Sequence, residues 1–240
     1  MAAEVVSSNI VGYNKVTLTS GYNLIGSQFV NIGQDTQDIN ELFPGSNTLP
    51  GLDANGDFQS TLLVWSGSGY ATYGWMNATD GTDAGDDSYN SKWVLQDFSD
   101  FASVDMTPGM GFWIQSSGDA EATFSGEVPE GDSVDIQLAA GYNLISHPFP
   151  EAISIQAVQS DDLLGLDANG DFQSTIQIWT GSGYAIYGWM NATDGTDAGD
   201  ASYNSKWVLQ DFSDIANVTI GIGKGFWIQT PAAATVTLSK

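Results

Sequence analysis

The chain has 240 residues, five of them Lys and none Arg, against 29 acidic residues, for a formal net charge of −24. Nucleic-acid binding needs clustered cations facing phosphates, so that class is set aside, and an anionic membrane surface repels such a chain for the same reason. There is no cysteine, hence no disulfide or thiolate chemistry, and no segment has the apolar length that membrane insertion requires.

In chain order, the start MAAEVVSSNIVGY lacks the basic and apolar regions of a signal peptide and reads as a mature N-terminus carrying an added initiator Met. Short β-branched or aromatic runs bounded by Gly, Asp and Ser predict strands at 16–18, 22–25, 61–65, 70–76, 92–95, 111–115 and 122–124. Helix is expected in two places. Residues 38–43 (DINELF) predict a short turn of helix, and residues 154–164 a longer one with Ser154 as N-cap.

From residue 127 onward the chain repeats itself. Residues 165–214 reproduce 51–100 with six changes, GYNLI (21–25) recurs at 141–145, and GMGFWIQ (109–115) recurs as GKGFWIQ (223–229). Two copies of one domain follow, so any site should occur twice. The boundary falls in the turn-rich stretch 126–133 (GEVPEGDS), giving domains 1–126 and 127–240. The expected fold is all-β: two tandem homologous β-sandwich or small-barrel domains with one short helix each.

The hairpin around SGSG (66–69) can be read residue by residue. A tight turn pairs Trp65 with Tyr70, Val64 with Ala71, Leu63 with Thr72 and Leu62 with Tyr73. Alternation then puts Leu62, Val64, Ala71 and Tyr73 on one face and Trp65, Leu63, Tyr70 and Thr72 on the other. In the second copy Leu62 and Val64 become Ile176 and Ile178, apolar for apolar, as a core face demands. Leu63 becomes Gln177 while Thr72 becomes Ile186, so the apolar partner has switched strands. That exchange suits a half-exposed pair and places the Trp65/Tyr70 face, with its copy Trp179/Tyr184, at the surface or in an interface.

Two groups of residues are candidate sites. DANGD occurs at 53–57 and 167–171, and Asp53, Asn55 and Asp57, like Asp167, Asn169 and Asp171, match the first oxygen ligands of a calcium loop. The acid expected at the twelfth position is Val64 or Ile178, so further ligands must come from the neighbouring loops: Asp80, Asp83 and Asp86 in one copy, Asp194, Asp197 and Asp200 in the other. The competing reading is of Asp/Asn/Gly turns that cap their own backbone. The second group is aromatic. Trp65 and Tyr70, with Trp179 and Tyr184, offer faces on which sugar rings stack, against the alternative of core and interface packing.

Catalysis is not expected. The single His147 has no histidine in the corresponding place of the first copy, and the Glu residues are not reproduced between copies. Asn77-Ala-Thr79 and Asn191-Ala-Thr193 match the N-glycosylation pattern, a motif short enough to recur by chance.

The order GYNLIGSQF, VWSGSGYATYGW, PGMGFWIQ, ATFSGEV resembles a largely uncharacterised β module of secreted and cell-surface bacterial proteins. There it reads approximately GWNLIGNPF, VWDGSGYxTY, PPGQGFFV and a final VTF strand. The resemblance covers most of each half through structural motifs. It implies an extracellular β module and is silent on ligands.

The expectation is therefore a secreted or cell-surface structural protein, not an enzyme, that self-associates into a filament or layer, with calcium neutralising its charge. The first copy ends EATFSGEV while the second ends ATVTLSK, and residues 5–11 form an apolar stretch ahead of the first copy. The expected contact is strand addition, the N-terminal segment of one subunit completing the second domain of its neighbour. The alternative is a carbohydrate-binding module using the exposed Trp and Tyr, with glycans as partners.

Overall fold

The computed structural model describes residues 11–31, 33–43 and 48–240. The N-terminal segment expected to donate a strand lies, up to residue 10, outside the described residues.

Among the described residues each half forms nine strands. In the first these are β1 (Val11–Leu18), β2 (Gly21–Gly26), β3 (Gln37–Asp38), β4 (Ser60–Trp65), β5 (Tyr70–Met76), β6 (Lys92–Leu95), β7 (Asp105–Met106), β8 (Gly111–Ser116) and β9 (Ala120–Glu127). The second half follows with β10 (Ser133–Leu138), β11 (Gly141–Ser146), β12 (Ile153–Ser154), β13 (Thr175–Trp179), β14 (Tyr184–Met190), β15 (Lys206–Leu209), β16 (Thr219–Ile220), β17 (Gly225–Thr230) and β18 (Ala234–Ser239). An antiparallel five-stranded sheet, β2-β8-β4-β5-β6, faces the ribbon β1-β9, and β11-β17-β13-β14-β15 faces β10-β18 in the same way. No sheet closes on itself, so the architecture is the tandem β-sandwich rather than the barrel.

Period-two alternation decides what each sheet buries. On its inner face Leu62, Val64, Phe112 and Ile114 pack with Val16, Leu18, Ala122 and Phe124 of the ribbon. Phe43, Trp75 and Trp93 complete this core, with Phe43 edge-on to Trp93 at 5.4 Å. The hairpin register is the one the sequence predicts: Trp65 pairs with Tyr70 and Leu62 with Tyr73, and in the copy Gln177 pairs with Ile186.

The short helix at DINELF forms as α1 (Ile39–Leu42), where the Asp38 carboxylate accepts from Asn40 N at 2.8 Å. The longer helix expected over 154–164 does not form. Ser154 does cap a turn, but it is a single 3₁₀ turn at Ile155–Ala157. Tertiary bonds hold the segment instead: Trp207 Nε1 donates to Val158 O at 2.6 Å, and the Gln156 side chain donates through Nε2 to Trp207 O and Ala216 O. Asn40 bridges Trp93 and Ala102 identically in the first half. The Asp-rich loops hold two further short helices, α2 (Asp80–Ala84) and α3 (Asp194–Asp197).

Candidate functional site

The outer faces of the two five-stranded sheets meet in an aromatic seam. Leu24 and Trp113 from the first module pack with Leu144 and Trp227 from the second, flanked by Leu63, Trp65 and Trp179. The tryptophan contacts are made twice. Trp65 lies edge-on to Trp227 with centroids 5.3 Å apart, and Trp179 lies edge-on to Trp113 at 5.3 Å. Trp65 Nε1 donates to Tyr142 O at 2.9 Å, and Trp179 Nε1 donates to Tyr22 O at 2.9 Å. This is the self-complementary pattern of a two-fold dimer, here within one chain.

Backbone bonds close the seam around the pseudo-axis. Gly26 N donates to Gly223 O at 3.0 Å, and its equivalent Ser146 N donates to Gly109 O at 2.8 Å. Gly26 and Ser146 meet each other on the axis: a Cβ on Gly26 would lie 2.1 Å from the Ser146 Cβ. Only one of the two copies can carry a side chain there.

The seam thus brings together the aromatic residues the sequence singled out. Trp65 and Trp179 are half-buried with their indole N–H groups engaged across it. Tyr70 and Tyr184 stay 43 and 41% exposed at its margin. Burial pushes both phenols above their ordinary value, against the opposing effect of the Trp113 and Trp227 indoles. Trp227 Nε1 donates to Tyr184 Oη at 3.2 Å. The sequence reading passed over Trp113 and Trp227 themselves. Their signal was the consecutive run Phe-Trp-Ile in β8 and β17, the mark of a strand buried on both faces.

The Asp loops are built as turns. The Asp53 carboxylate accepts from Asn55 N at 2.8 Å and Asp57 N at 2.9 Å, and Asp167 does the same for Asn169 and Asp171. These donors hold both carboxyls below their ordinary range. Asp80 is buried and accepts from Leu52 N at 2.9 Å and Asn77 N at 2.7 Å, while Asp194 binds Leu166 N and Asn191 N. Asp86 and Asp200 cap Ser88 and Ser202. Asp83 and Asp197 are exposed on α2 and α3. Among the described residues, no three His, Asp or Glu side chains converge as a metal site would require. The sequon residue Asn77 is likewise committed, its Oδ1 accepting from Thr79 N, Thr79 Oγ1 and Asp80 N. His147 is buried, its ring nitrogens facing Phe149 O and Ser239 O.

Two clefts flank the seam at symmetry-related places. One, of about 940 Å³, lies beside β10 and is lined by Val134–Gln137, Trp65, Met110, Tyr142 and the linker Glu127–Glu130. The other, beside β1, has about 310 Å³ and is lined by Thr17, Tyr22, Trp179 and Lys224. Among the described residues no helix is long and apolar enough to cross a membrane. No family model, curated protein or solved structure matches this chain.

Proposed function

We propose that this is a secreted or cell-surface structural protein whose two-module chain is the rigid unit of a larger self-assembly. The observation that carries the reading is the seam: the module possesses a face complementary to its own copy. That face is already satisfied inside the chain, and its two-fold symmetry closes it. Contacts between chains therefore fall to the sheet edges. Among the described residues β1 pairs only with β9, and β10 only with β18. An unpaired edge is a template for another strand.

Calcium belongs to this reading as a counter-ion. A chain at −24 repels its own copies until cations lower the repulsion, and the exposed carboxylates of the Asp loops are where they would gather. The glycan alternative drew on Trp65 and Trp179, whose indoles here serve the seam, so self-assembly takes precedence. Light scattering with and without millimolar calcium tests it. Large assemblies that a chelator disperses are expected; a single chain of 25.4 kDa under both conditions overturns the reading.

A further inference from the structure

We infer that the cleft beside β10 is the acceptor slot for the chain-to-chain contact, taking an extended segment with the sequence of residues 5–10 (VVSSNI) from a second copy as an added strand. This rests on the self-assembly reading and names its contact surface.

The first ground is how β10 meets the cleft. Four consecutive residues, Val134–Gln137, line it. Side chains alternate across a strand, so a cavity against one face would touch every second residue. A run of four means that the strand's edge opens into the cleft. The ladder fixes which backbone groups point there. Asp132 O accepts from Lys240 N at 2.9 Å, and bonded pairs alternate in an antiparallel ladder. Val134 and Ile136 therefore bond to β18, while the N–H and C=O groups of Ser133, Asp135 and Gln137 face outward. Among the described residues these outward groups have no backbone partner.

The second ground is the shape and chemistry of the slot. Its volume of about 940 Å³ lies at the upper end of the range, roughly 300–1,000 Å³, that encloses sizeable ligands. The cleft is lined as well by Trp65, Met110, Tyr142 and Leu144. Main-chain bonds on one side and apolar side chains on the other are what strand addition needs. The related cleft beside β1 is a third the size and holds Lys224 where this one has Met110. Among the described residues the chain thus has one acceptor, in its second module.

The third ground selects the occupant. Asp35, Glu127, Glu130 and Asp135 stand around the slot and among the described residues no lysine lines it, so an acidic segment is repelled. Residues 5–14 (VVSSNIVGYN) carry no charge and hold Val, Val, Ile and Val in a chain rich in acids. A segment from one chain seated in the next chain's slot is a head-to-tail contact, which propagates without closing. Because donor and rim do not attract by charge while the chains repel, assembly should strengthen with salt. A basic partner protein would show the opposite dependence.

The test compares Asp135→Pro with Asp135→Ala in the full chain. Both lose the Asp135 bond to Thr237 Oγ1, but only proline removes the outward N–H, at an edge position that tolerates it. By light scattering, Asp135→Ala should assemble like the parent and Asp135→Pro should stay at single-chain mass. A capped peptide of residues 5–11 should disperse the parent's assemblies and quench the tryptophan emission of the parent and of Asp135→Ala, not of Asp135→Pro. Equal assembly of the two variants overturns the slot while leaving self-assembly standing. If no chain assembles, the functional reading fails and peptide quenching alone judges the slot. A parent that takes up no peptide, including one whose slot is filled by its own N-terminal segment, overturns it. Should Asp135→Pro fail to fold, Gln137→Pro against Gln137→Ala repeats the comparison.

Discussion

Trp65, Trp113, Trp179 and Trp227 enter the seam as two equivalent pairs, whereas the clefts at its two ends differ, about 940 Å³ beside β10 against about 310 Å³ beside β1. The same strands and turns frame both clefts. The difference shows how a duplicated chain divides its labour. In a self-complementary seam each copy packs against the other, so a change in one copy must still fit the face of its twin. The clefts have unlike walls. The linker Glu127–Glu130 borders only the larger, and Lys224 reaches only into the smaller. There the copies could diverge, and function is expected where they did.

The sharpest way to break the comparison is at the seam. Trp227 is almost fully buried, packed edge-on against Trp65 and Tyr142 and bonded to Tyr184. Truncating a buried Trp costs about 3–5 kcal/mol. Trp227→Ala should lower the thermal midpoint strongly, and Trp113→Ala should match it because the two sites are equivalent. Trp65→Ala, at a half-exposed position, should cost less. Unequal losses for Trp113→Ala and Trp227→Ala in thermal denaturation would show that the seam is not shared symmetrically.

A smaller effect is expected on the pseudo-axis. Gly26→Ser puts a second side chain on the axis, where its Cβ would stand 2.1 Å from that of Ser146. Overpacking of this kind costs about 1–3 kcal/mol. The swap Gly26→Ser with Ser146→Gly should restore the parent midpoint, because the axis sees the same pair from the other side. In the parent, Ser146 Oγ donates to Met110 O at 3.2 Å; in the swap the new hydroxyl lies within reach of Lys224 O. A swap as unstable as the single variant would refute the axis.

Much of this was legible in the sequence, for definite reasons. The hairpin register followed from SGSG and alternation, and the Leu63/Thr72 to Gln177/Ile186 exchange showed that the Trp65 face was not core, leaving surface and interface open. Strand runs flanked by Gly and Asp marked seven strands of the first module. What stayed hidden depends on contacts distant in the chain. Residues 154–164 have helical composition, but Trp207 and Ala216, some fifty to sixty residues on, take their hydrogen bonds. The large cleft assembles Val30, Trp65, Met110, Glu127 and Ile136, which no local pattern joins. The Asp loops look alike as calcium ligands or as turns, because both uses ask for short oxygen-bearing side chains beside Gly.

The gentlest probe exchanges the residues that set the clefts apart. Burial holds the Lys224 ammonium below the ordinary lysine value of 10.5. A lysine with a lowered folded-state pKa binds its proton more weakly in the native chain than in the unfolded one. Stability therefore rises with pH between the folded value and the unfolded one, and the cost of burying the charge is fully felt below both. Lys224→Met removes that cost. It should be slightly more stable than the parent at neutral pH, with the gap closing as pH climbs toward 10.5. The phenols of Tyr70 and Tyr184 titrate in both chains and cancel in the difference. Because the Lys224 side chain is largely exposed, water screens much of the effect, which makes this the smallest of the three changes. Thermal midpoints of the pair across that pH range decide it: a constant gap would mean that Lys224 keeps its ordinary affinity for the proton, and that its charge does not distinguish the narrow cleft from the wide one.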